Sequence, residues 1–581
     1  MLACADFETT TLEEDCRVWA YGICEIGNPD NFIYGNDIDD FMRICADKQE
    51  NSTYYFHNLA FDGDFILYWL ERNNFEHVKD KRDLENNTYT TLISDMGQFY
   101  SIEVCFNKKG HKTNKVTFFD SMKILNFSVA QIAEDFGTGL KKLEMESEFD
   151  ENGDLINDGY SKIREIGHEL TTDEIMYLRN DVEIMARALN TMFELGMNKM
   201  TIGSDALHEY KNTIDSKLYK RLFPQLPLDI DKVIRKSYKG GFTYLNEKYK
   251  GKVINGGLVF DVNSLYPSVM YNDSMPYGDP LYFDGQYLYD KVYPLYVQIL
   301  TCQFKLKKDH IPMIQIKKSI YRYSDTEYLK DSGDYSPVLT LTSVDLELFL
   351  DHYDVFNLEY ISGYKFKSST TMFKKYIDKW ITEKIENKKA KNKGKTQVAK
   401  LMLNSLYGKF AVSPTVTSKY PVYDNEKDYI RFVLGEEESR KALYIPVGAF
   451  ITAWARNKTI RSAQKVYHRF IYADTDSLHL EGYDIPEGLD VDELKLGAWD
   501  NELIFSKGKY LRAKTYMEFG KKPKSNEEEK WKITCAGMPS KCHEFVELEN
   551  FDIGAEYEGK LQKKRVPGGT ILVEKEFTIR E

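Results

Sequence analysis

The sequence predicts a mixed α/β chain built from several domains. Two observations carry this reading. At 581 residues the chain has room for roughly three or four units of about 150 residues each. Strand-like runs also alternate with long helix-periodic stretches along its length. Up to Met200, short strand-like runs over 18–26 and 98–106 lead into a strong helix over 173–195. Thr171 with Glu174 three residues on forms a capping box, and Gly196 supplies the stop. Tyr238-Lys239-Gly240-Gly241 reads as a turn or linker, because paired glycines permit backbone angles that other residues avoid. Strand-like segments follow at Leu258-Val259-Phe260 and over 294–304, then a helical pair over 372–411 split by the polar stretch 391–395. Residues 412–446 read as a hairpin excursion and 521–530 as an exposed charged loop. The segment 536–581 reads as short strands turning at Pro567-Gly568-Gly569.

No apolar run approaches the roughly 18 residues that a membrane span needs. The opening Met1-Leu2-Ala3-Cys4-Ala5-Asp6 lacks a basic or apolar leader, so no signal peptide is expected. The eight cysteines show no CxxC or zinc-like spacing, which suits reduced thiols. A net charge of −13 argues against phosphate binding on average. Between Lys384 and Lys400, however, seven lysines accompany one acid, Glu386, and charge distribution outranks the mean.

Two constellations carry chemistry. In Asp6-Phe7-Glu8, strand alternation puts both carboxylates on one face and Phe7 in the core. His57-Asn58-Leu59-Ala60-Phe61-Asp62 adds an acid with polar neighbours, and Tyr177 and Asp181 share a helix face at i and i+4. Four converging acids could hold two divalent cations roughly 3.5–4 Å apart and activate a water that Tyr177 orients. The second constellation pairs Tyr472-Ala473-Asp474-Thr475-Asp476-Ser477 with the strand end Phe260-Asp261. Between them Ala399, Leu403, Leu406 and Phe410 form an apolar helical stripe, and Lys400, Asn404 and Tyr407 lie on the adjacent face. Lysine, amide and aromatic together suit a triphosphate and a base pair. Taken singly, each piece is an ordinary surface acid or a solvated helix face.

Taken together, DxE, NxxxD and YxxxD in that order resemble the exonuclease motifs of DEDD proofreading nucleases. DxxSLYP, KxxxNSxYG, YxDTDS and the later Lys514-Thr515-Tyr516 resemble motifs A, B, C and KxY of family B DNA polymerases. The runs Cys16 to Gly22, Phe56 to Leu59, Met402 to Phe410 and Phe450 to Arg456 resemble the protein-primed bacteriophage branch, the phi-twenty-nine type, over essentially the whole chain.

The resemblance implies an RNase H-like 3′–5′ exonuclease domain at 1–200 and a right-hand polymerase domain at 201–581. In the latter, palm would be 201–272 and 445–535, fingers 372–411 and thumb 536–581, with insertions at 273–371 and 412–444. The first insertion would contact a terminal protein whose hydroxyl serves as primer. The second would close a ring around DNA, giving processive strand displacement. Asp261 and Asp476, with the Val262 carbonyl, would hold two Mg2+, with Mn2+ able to substitute, and Asp474 would assist. Lys400, Lys384 and Lys395 would meet incoming phosphates, with Asn404 beside them. Tyr266 and Tyr407 would line the nascent pair. Tyr238, Gly240 and Gly241 would touch template, and Lys514 and Tyr516 the primer.

For editing, Asp6, Glu8, Asp62 and Asp181 would bind metal, and Tyr177 and Lys142 would assist. Thr9, Tyr55, His57, Asn58, Phe61, Phe65 and Ser121 would handle a single-stranded 3′ end. The pattern departs at Ser147, where the family carries a tyrosine, and at Met122, where leucine is common. Template, primer strand and dNTPs would be the other partners of a monomer in the cytoplasm of an infected bacterium, with no membrane. Rival readings are a polymerase using ordinary nucleic-acid primers, a stand-alone metal-dependent nuclease whose second half binds DNA, and a non-catalytic scaffold. Intact Asp261, Lys400 and Asp476 oppose the last two.

Overall fold

The computed structural model describes residues 1–47, 50–109, 112–145, 147–149, 155–157, 159–315 and 328–580. Part of the proposed first insertion, 316–327, lies outside them.

The amino-terminal unit is an eight-stranded sheet. Its order is Asn28–Gly35, Val18–Glu25, Leu2–Thr9, Ser52–Phe56, Lys112–Asp120, Phe99–Lys109, Thr88–Ile93, Glu76–His77. The first three strands run antiparallel, and Ser52–Phe56 pairs in parallel with Leu2–Thr9 and with Lys112–Asp120. The helix Thr172–Glu194 packs across Leu2–Thr9 and Val18–Glu25. Its start is fixed by the expected capping box: the Thr171 hydroxyl accepts from the Glu174 N–H, and Glu174 accepts from the Thr171 N–H.

A second sheet, all antiparallel, forms the centre of the molecule. Along it lie Thr243–Leu245, Phe470–Asp474, Ser477–Glu481, Gly257–Val262, Trp499–Arg512, Thr515–Lys521 and Lys530–Cys535, with Val253–Ile254 pairing to Trp499–Arg512. The buried helix Ile445–Lys465 backs it. Residues 273–371 carry a four-stranded sheet of Met275–Asp284, Tyr353–Ser369, Leu295–Leu306 and Val338–Thr342, with the helix Ser343–His352. The helical pair is Lys374–Lys389 and Lys393–Ser405, followed by a 3-10 turn Tyr407–Ala411. The α-helix therefore stops at Ser405, short of the expected 411.

The excursion at 412–446 is a long hairpin, Thr415–Asp424 with Tyr429–Ser439. The carboxyl-terminal segment also ends in one long hairpin, Glu556–Val566 with Gly569–Thr578, where short strands were expected. Both hairpins pack on the helix Leu59–Arg72 and touch each other. Tyr68 donates to Asp428 at 3.0 Å and Arg72 to Tyr423 at 3.3 Å. All eight cysteines are buried. No helix among the described residues is long and apolar enough to cross a membrane.

Candidate functional site

The four acids of the first constellation converge. On Leu2–Thr9, Phe7 sinks into the core while Asp6 and Glu8 share the other, half-buried face. The helix Leu59–Arg72 brings in buried Asp62 from its first turn. That helix begins at Asn58, held in the left-handed region (φ 82°) with its N–H donating to Asp120 at 3.2 Å. The helix Thr172–Glu194 presents Tyr177 and Asp181 one turn apart. Burial, then the charges of Asp62, Glu8 and Asp181, holds Asp6 well above the usual carboxylate range. Burial, then Asp181, pushes Glu8 up to about 8, and burial pushes Asp62 up to about 7. Lys142 is the counter-charge. It donates to Asp181 and, at 3.3 Å, to the Tyr177 hydroxyl. Burial pulls its ammonium down, but Asp181 together with Asp6 and Tyr160 outweighs this and raises it.

Among the described residues no group of three or more His, Cys, Asp or Glu side chains is drawn together closely enough to hold a metal ion. The donor set nevertheless fits a divalent cation. Four hard oxygen donors resist ionising together, and the buried Asp181 Oδ1 has no hydrogen-bond partner. A cavity of about 220 Å³ lined by Asp6, Tyr55, His57, Lys142, Tyr177 and Asp181 opens beside them.

Three of the residues expected to handle a single-stranded 3′ end are buried. Ser121, Tyr55 and Phe65 are 1%, 7% and 1% exposed. Ser121 hydrogen-bonds His57 Nδ1 at 3.0 Å, Tyr55 packs on Phe119 and Phe193, and Phe65 lies under the Gly569 turn. Of the other residues expected there, Asn58 is exposed and Thr9, His57 and Phe61 are half-buried. Both His57 nitrogens are engaged, Nε2 with the Phe127 carbonyl at 2.7 Å.

A tyrosine outside the expected motif approaches Tyr177. Ser147 is exposed, whereas the Tyr160 hydroxyl lies 3.5 Å from that of Tyr177, with the rings edge to face. A small hairpin, Glu148–Phe149 with Leu155–Asn157, intervenes, so counting forward from Lys142 misses Tyr160. The tyrosine of Gly159-Tyr160-Ser161, just after the acidic insert, was the available signal.

The second constellation is built within one sheet. Asp261 sits opposite Ser477, and the Val262 N–H donates to the Asp476 carbonyl at 2.8 Å, so the strand carrying Asp261 lies beside the turn carrying Asp476. Burial, then the charges of Asp476 and Glu502, pushes Asp261 up to about 8. Burial likewise raises Asp476. Asp474 differs, because protein donors occupy it: Thr243 at 3.0 Å, Tyr472 at 3.2 Å and Lys514 at 3.1 Å.

Thr475 at the turn (φ 59°) and Lys514 (φ 57°) are non-glycine residues in the left-handed region, strain that the surrounding sheet must hold. The Gly241 backbone packs against this turn, and a Cβ there would lie 2.5 Å from Thr475 Oγ1. The Thr475 N–H also donates to the Phe242 carbonyl. Tyr238 lies close enough to Tyr266 and Tyr407 for its charge to bear on both.

Tyr266 and Tyr407 stack at 3.8 Å. Because the helix ends at Ser405, Tyr407 belongs to the 3-10 turn rather than to the face of Lys400 and Asn404. Burial, then Lys400 and Lys388, lowers the ammonium of Lys384, so the two helices bring these lysines near one another. Lys395 and Asn404 are exposed on the same helix as Lys400. Tyr516 is buried, stacked on Tyr510 at 5.3 Å and packed on Tyr472, so it braces the Asp474 strand from beneath. Asp500 and Glu502 were missed. Asp500 pairs across the sheet with Asp261 and Glu502 bears on both Asp261 and Asp476, yet Asp500-Asn501-Glu502 repeats the alternation of Asp6-Phe7-Glu8.

Residues 45–493 match the family of DNA polymerases type B, organellar and viral. The DNA polymerase of Bacillus phage M2 is 46% identical, covering all of this chain and 99% of that polymerase. The DNA polymerase of Bacillus phage phi29 shows the same identity and coverage. The DNA polymerase of Streptococcus phage Cp-1 is 34% identical over 99% of this chain and 98% of its own. The solved structure of phi29 DNA polymerase complexed with primer-template DNA and incoming nucleotide substrates matches with a TM-score of 0.90 at 45% identity, over the full length of both chains. A further phi29 structure, complexed with single-stranded DNA, matches with a TM-score of 0.90 at 44% identity over the same coverage. With family, relatives and fold in agreement, the chain belongs to the type B DNA polymerases, organellar and viral.

Proposed function

We propose that this DNA polymerase starts synthesis on a terminal-protein hydroxyl, elongates processively with strand displacement, and edits through a separate 3′–5′ exonuclease site. The observation that carries this reading is the pair of acidic clusters, Asp6–Glu8–Asp62–Asp181 and Asp261–Asp476, built on two different sheets. The strand order of the amino-terminal sheet supports an RNase H-like exonuclease unit at 1–200, and the central antiparallel sheet supports a palm. The helical pair fits fingers and the carboxyl-terminal hairpin a thumb. Exposed Tyr282, Leu288, Tyr289 and Val292 on the 273–371 unit support a protein-binding surface for the terminal protein. The mutual contact of the two hairpins supports enclosure of DNA.

Asp261, Asp476 and the Val262 carbonyl would hold Mg2+ or Mn2+, and Asp6, Glu8, Asp62 and Asp181 would do the same for editing. Bound there, such ions acidify the attacking hydroxyl or water and offset charge on the leaving oxygen. The rest is done by the chain. Stacked Tyr266 and Tyr407 form a floor for the nascent pair, Tyr266 at the position that excludes a ribose 2′-OH. Lys384 and Lys400 attract the triphosphate, with Lys395 and Asn404 nearby. Lys514, tethered to Asp474, reaches the primer terminus, and Tyr516 holds the Lys514 loop in place. Tyr238, Gly240 and Gly241 lie along the template path beside the Asp476 turn. At the editing site the Tyr177 hydroxyl orients water, Lys142 steadies Asp181, and Phe61 and His57 grip the frayed strand. The site of action would be the cytoplasm of an infected bacterium.

The test is a pair of variants. Asp476→Ala should abolish incorporation and leave single-stranded DNA degradation largely intact, and Asp6→Ala should do the reverse. Loss of both activities together in either folded variant would overturn the two-site reading. For priming, the chain is mixed with its terminal protein, Mg2+ and labelled dNTP. A covalent protein–nucleotide adduct is expected, and extension of ordinary primers without adduct would favour conventional priming.

A further inference from the structure

We propose that Lys563, on the carboxyl-terminal hairpin, is a phosphate ligand for the single-stranded 3′ end at the Asp6–Glu8–Asp62–Asp181 site. The inference rests on the editing reading above. The strand Glu556–Val566 places Lys563 and Arg565 on one face, two residues apart. Arg565 Nε donates to Asp64 Oδ2 at 3.1 Å, and Asp64 is 1% exposed on the helix that also carries Asp62. The same guanidinium lies 4.5 Å over the Phe432 ring of the other hairpin. At the hairpin turn Gly569 fits against Phe65, where a Cβ would come within 2.5 Å of the ring. The hairpin is thus pinned at two points to Leu59–Arg72.

This pinning sets the Lys563 ammonium 5.3 Å from the centre of the Phe61 ring. There it is held in the field of Asp64 and Asp62. Its neighbours have partners, Lys564 with Glu13 and Arg565 with Asp64. Lys563, in contrast, makes no hydrogen bond or ion pair among the described residues and keeps exposed surface. An unpaired, exposed cation over a half-buried aromatic ring, at the edge of an acidic cluster, matches one nucleotide: the ring takes the base and the ammonium takes the phosphate. Without such a cation, the carboxylates would repel the strand they act on.

The experiment is steady-state degradation of a single-stranded oligodeoxynucleotide by the wild-type chain, Lys563→Ala and Lys563→Arg at several salt concentrations. For Lys563→Ala we expect KM to rise about 5- to 10-fold with kcat within about twofold, and the salt slope of log KM to fall by about 0.7, one phosphate contact. Lys563→Arg should restore both. An unchanged KM and slope in a folded Lys563→Ala, or a fall in kcat alone, would overturn the proposal and leave Lys563 as a neutraliser of the carboxylates. If the wild-type chain itself degrades no single-stranded DNA with Mg2+, the editing reading is what fails.

Discussion

At the amino-terminal cluster, four carboxylates arrive from one strand and two helices spread over the first 181 residues. At the central cluster, Asp261 comes from a strand and Asp476 from the turn beside it, joined by backbone hydrogen bonds. The first therefore depends on how helices dock, and it borrows cations such as Lys142 from other segments. The second depends on turn geometry, with Asp474 spending its oxygens on Thr243, Tyr472 and Lys514 so that Asp476 keeps its own. The same raised affinity for protons thus arises from tertiary assembly in one case and from sheet register in the other.

The contrast breaks most sharply at Gly241. Gly241→Ala pushes a methyl into Thr475, so single-nucleotide incorporation should fall about a hundredfold, the scale of a 1 Å misplacement. Single-stranded DNA degradation should stay within about twofold. Incorporation near wild-type levels would show the turn to be compliant. Tyr407→Leu removes the stack on Tyr266, and about 1 kcal/mol of lost ring contact should raise the KM for dNTP about fivefold. A pre-steady-state dNTP titration reads this directly, and an unchanged KM with lowered kcat would assign the pair to chemistry rather than to binding.

The smallest effect concerns Glu174. Burial raises its pKa, but His168, the Thr171 N–H and Arg164 outweigh this and lower it to about 2. Its stabilising contribution is present above its unfolded pKa of about 4.3 and is lost as pH falls through about 2. Glu174→Gln should lower the urea midpoint at pH 7, and the gap to wild type should close between about pH 4.5 and 2. A gap independent of pH would show that shape, not charge, anchors this helix. Because the helix carries Tyr177 and Asp181, any loss of activity should fall on degradation and not on synthesis.

Local features were legible where the chemistry is local. The capping box at Thr171 and Glu174, the strand to Asp261 and the Asp474-Thr475-Asp476 turn all follow from neighbours in sequence. Three things were not legible. Tyr160 lies beyond a small hairpin, so no fixed spacing from Lys142 finds it. Phe65 was expected at a single-stranded 3′ end, and its burial against the Gly569 turn is set by a hairpin distant in sequence. Tyr407 continues a helical pattern, yet its backbone tightens after Ser405 and turns the ring onto Tyr266. In each case a contact distant in sequence decides the outcome.

The circuit from the helix Leu59–Arg72 through the hairpin Thr415–Ser439 to the hairpin Glu556–Thr578 and back also has an order in time. Domains fold as units while a chain is being made, amino-terminal parts first. Here a Cβ on Gly568 would fall on the Cys16 carbonyl, so the turn of the carboxyl-terminal hairpin seats on a segment made well before it. The amino-terminal sheet can assemble early, but the circuit cannot exist before the hairpin Glu556–Thr578 has been made. Until then the helix Leu59–Arg72 lacks one of the two hairpins that pack on it.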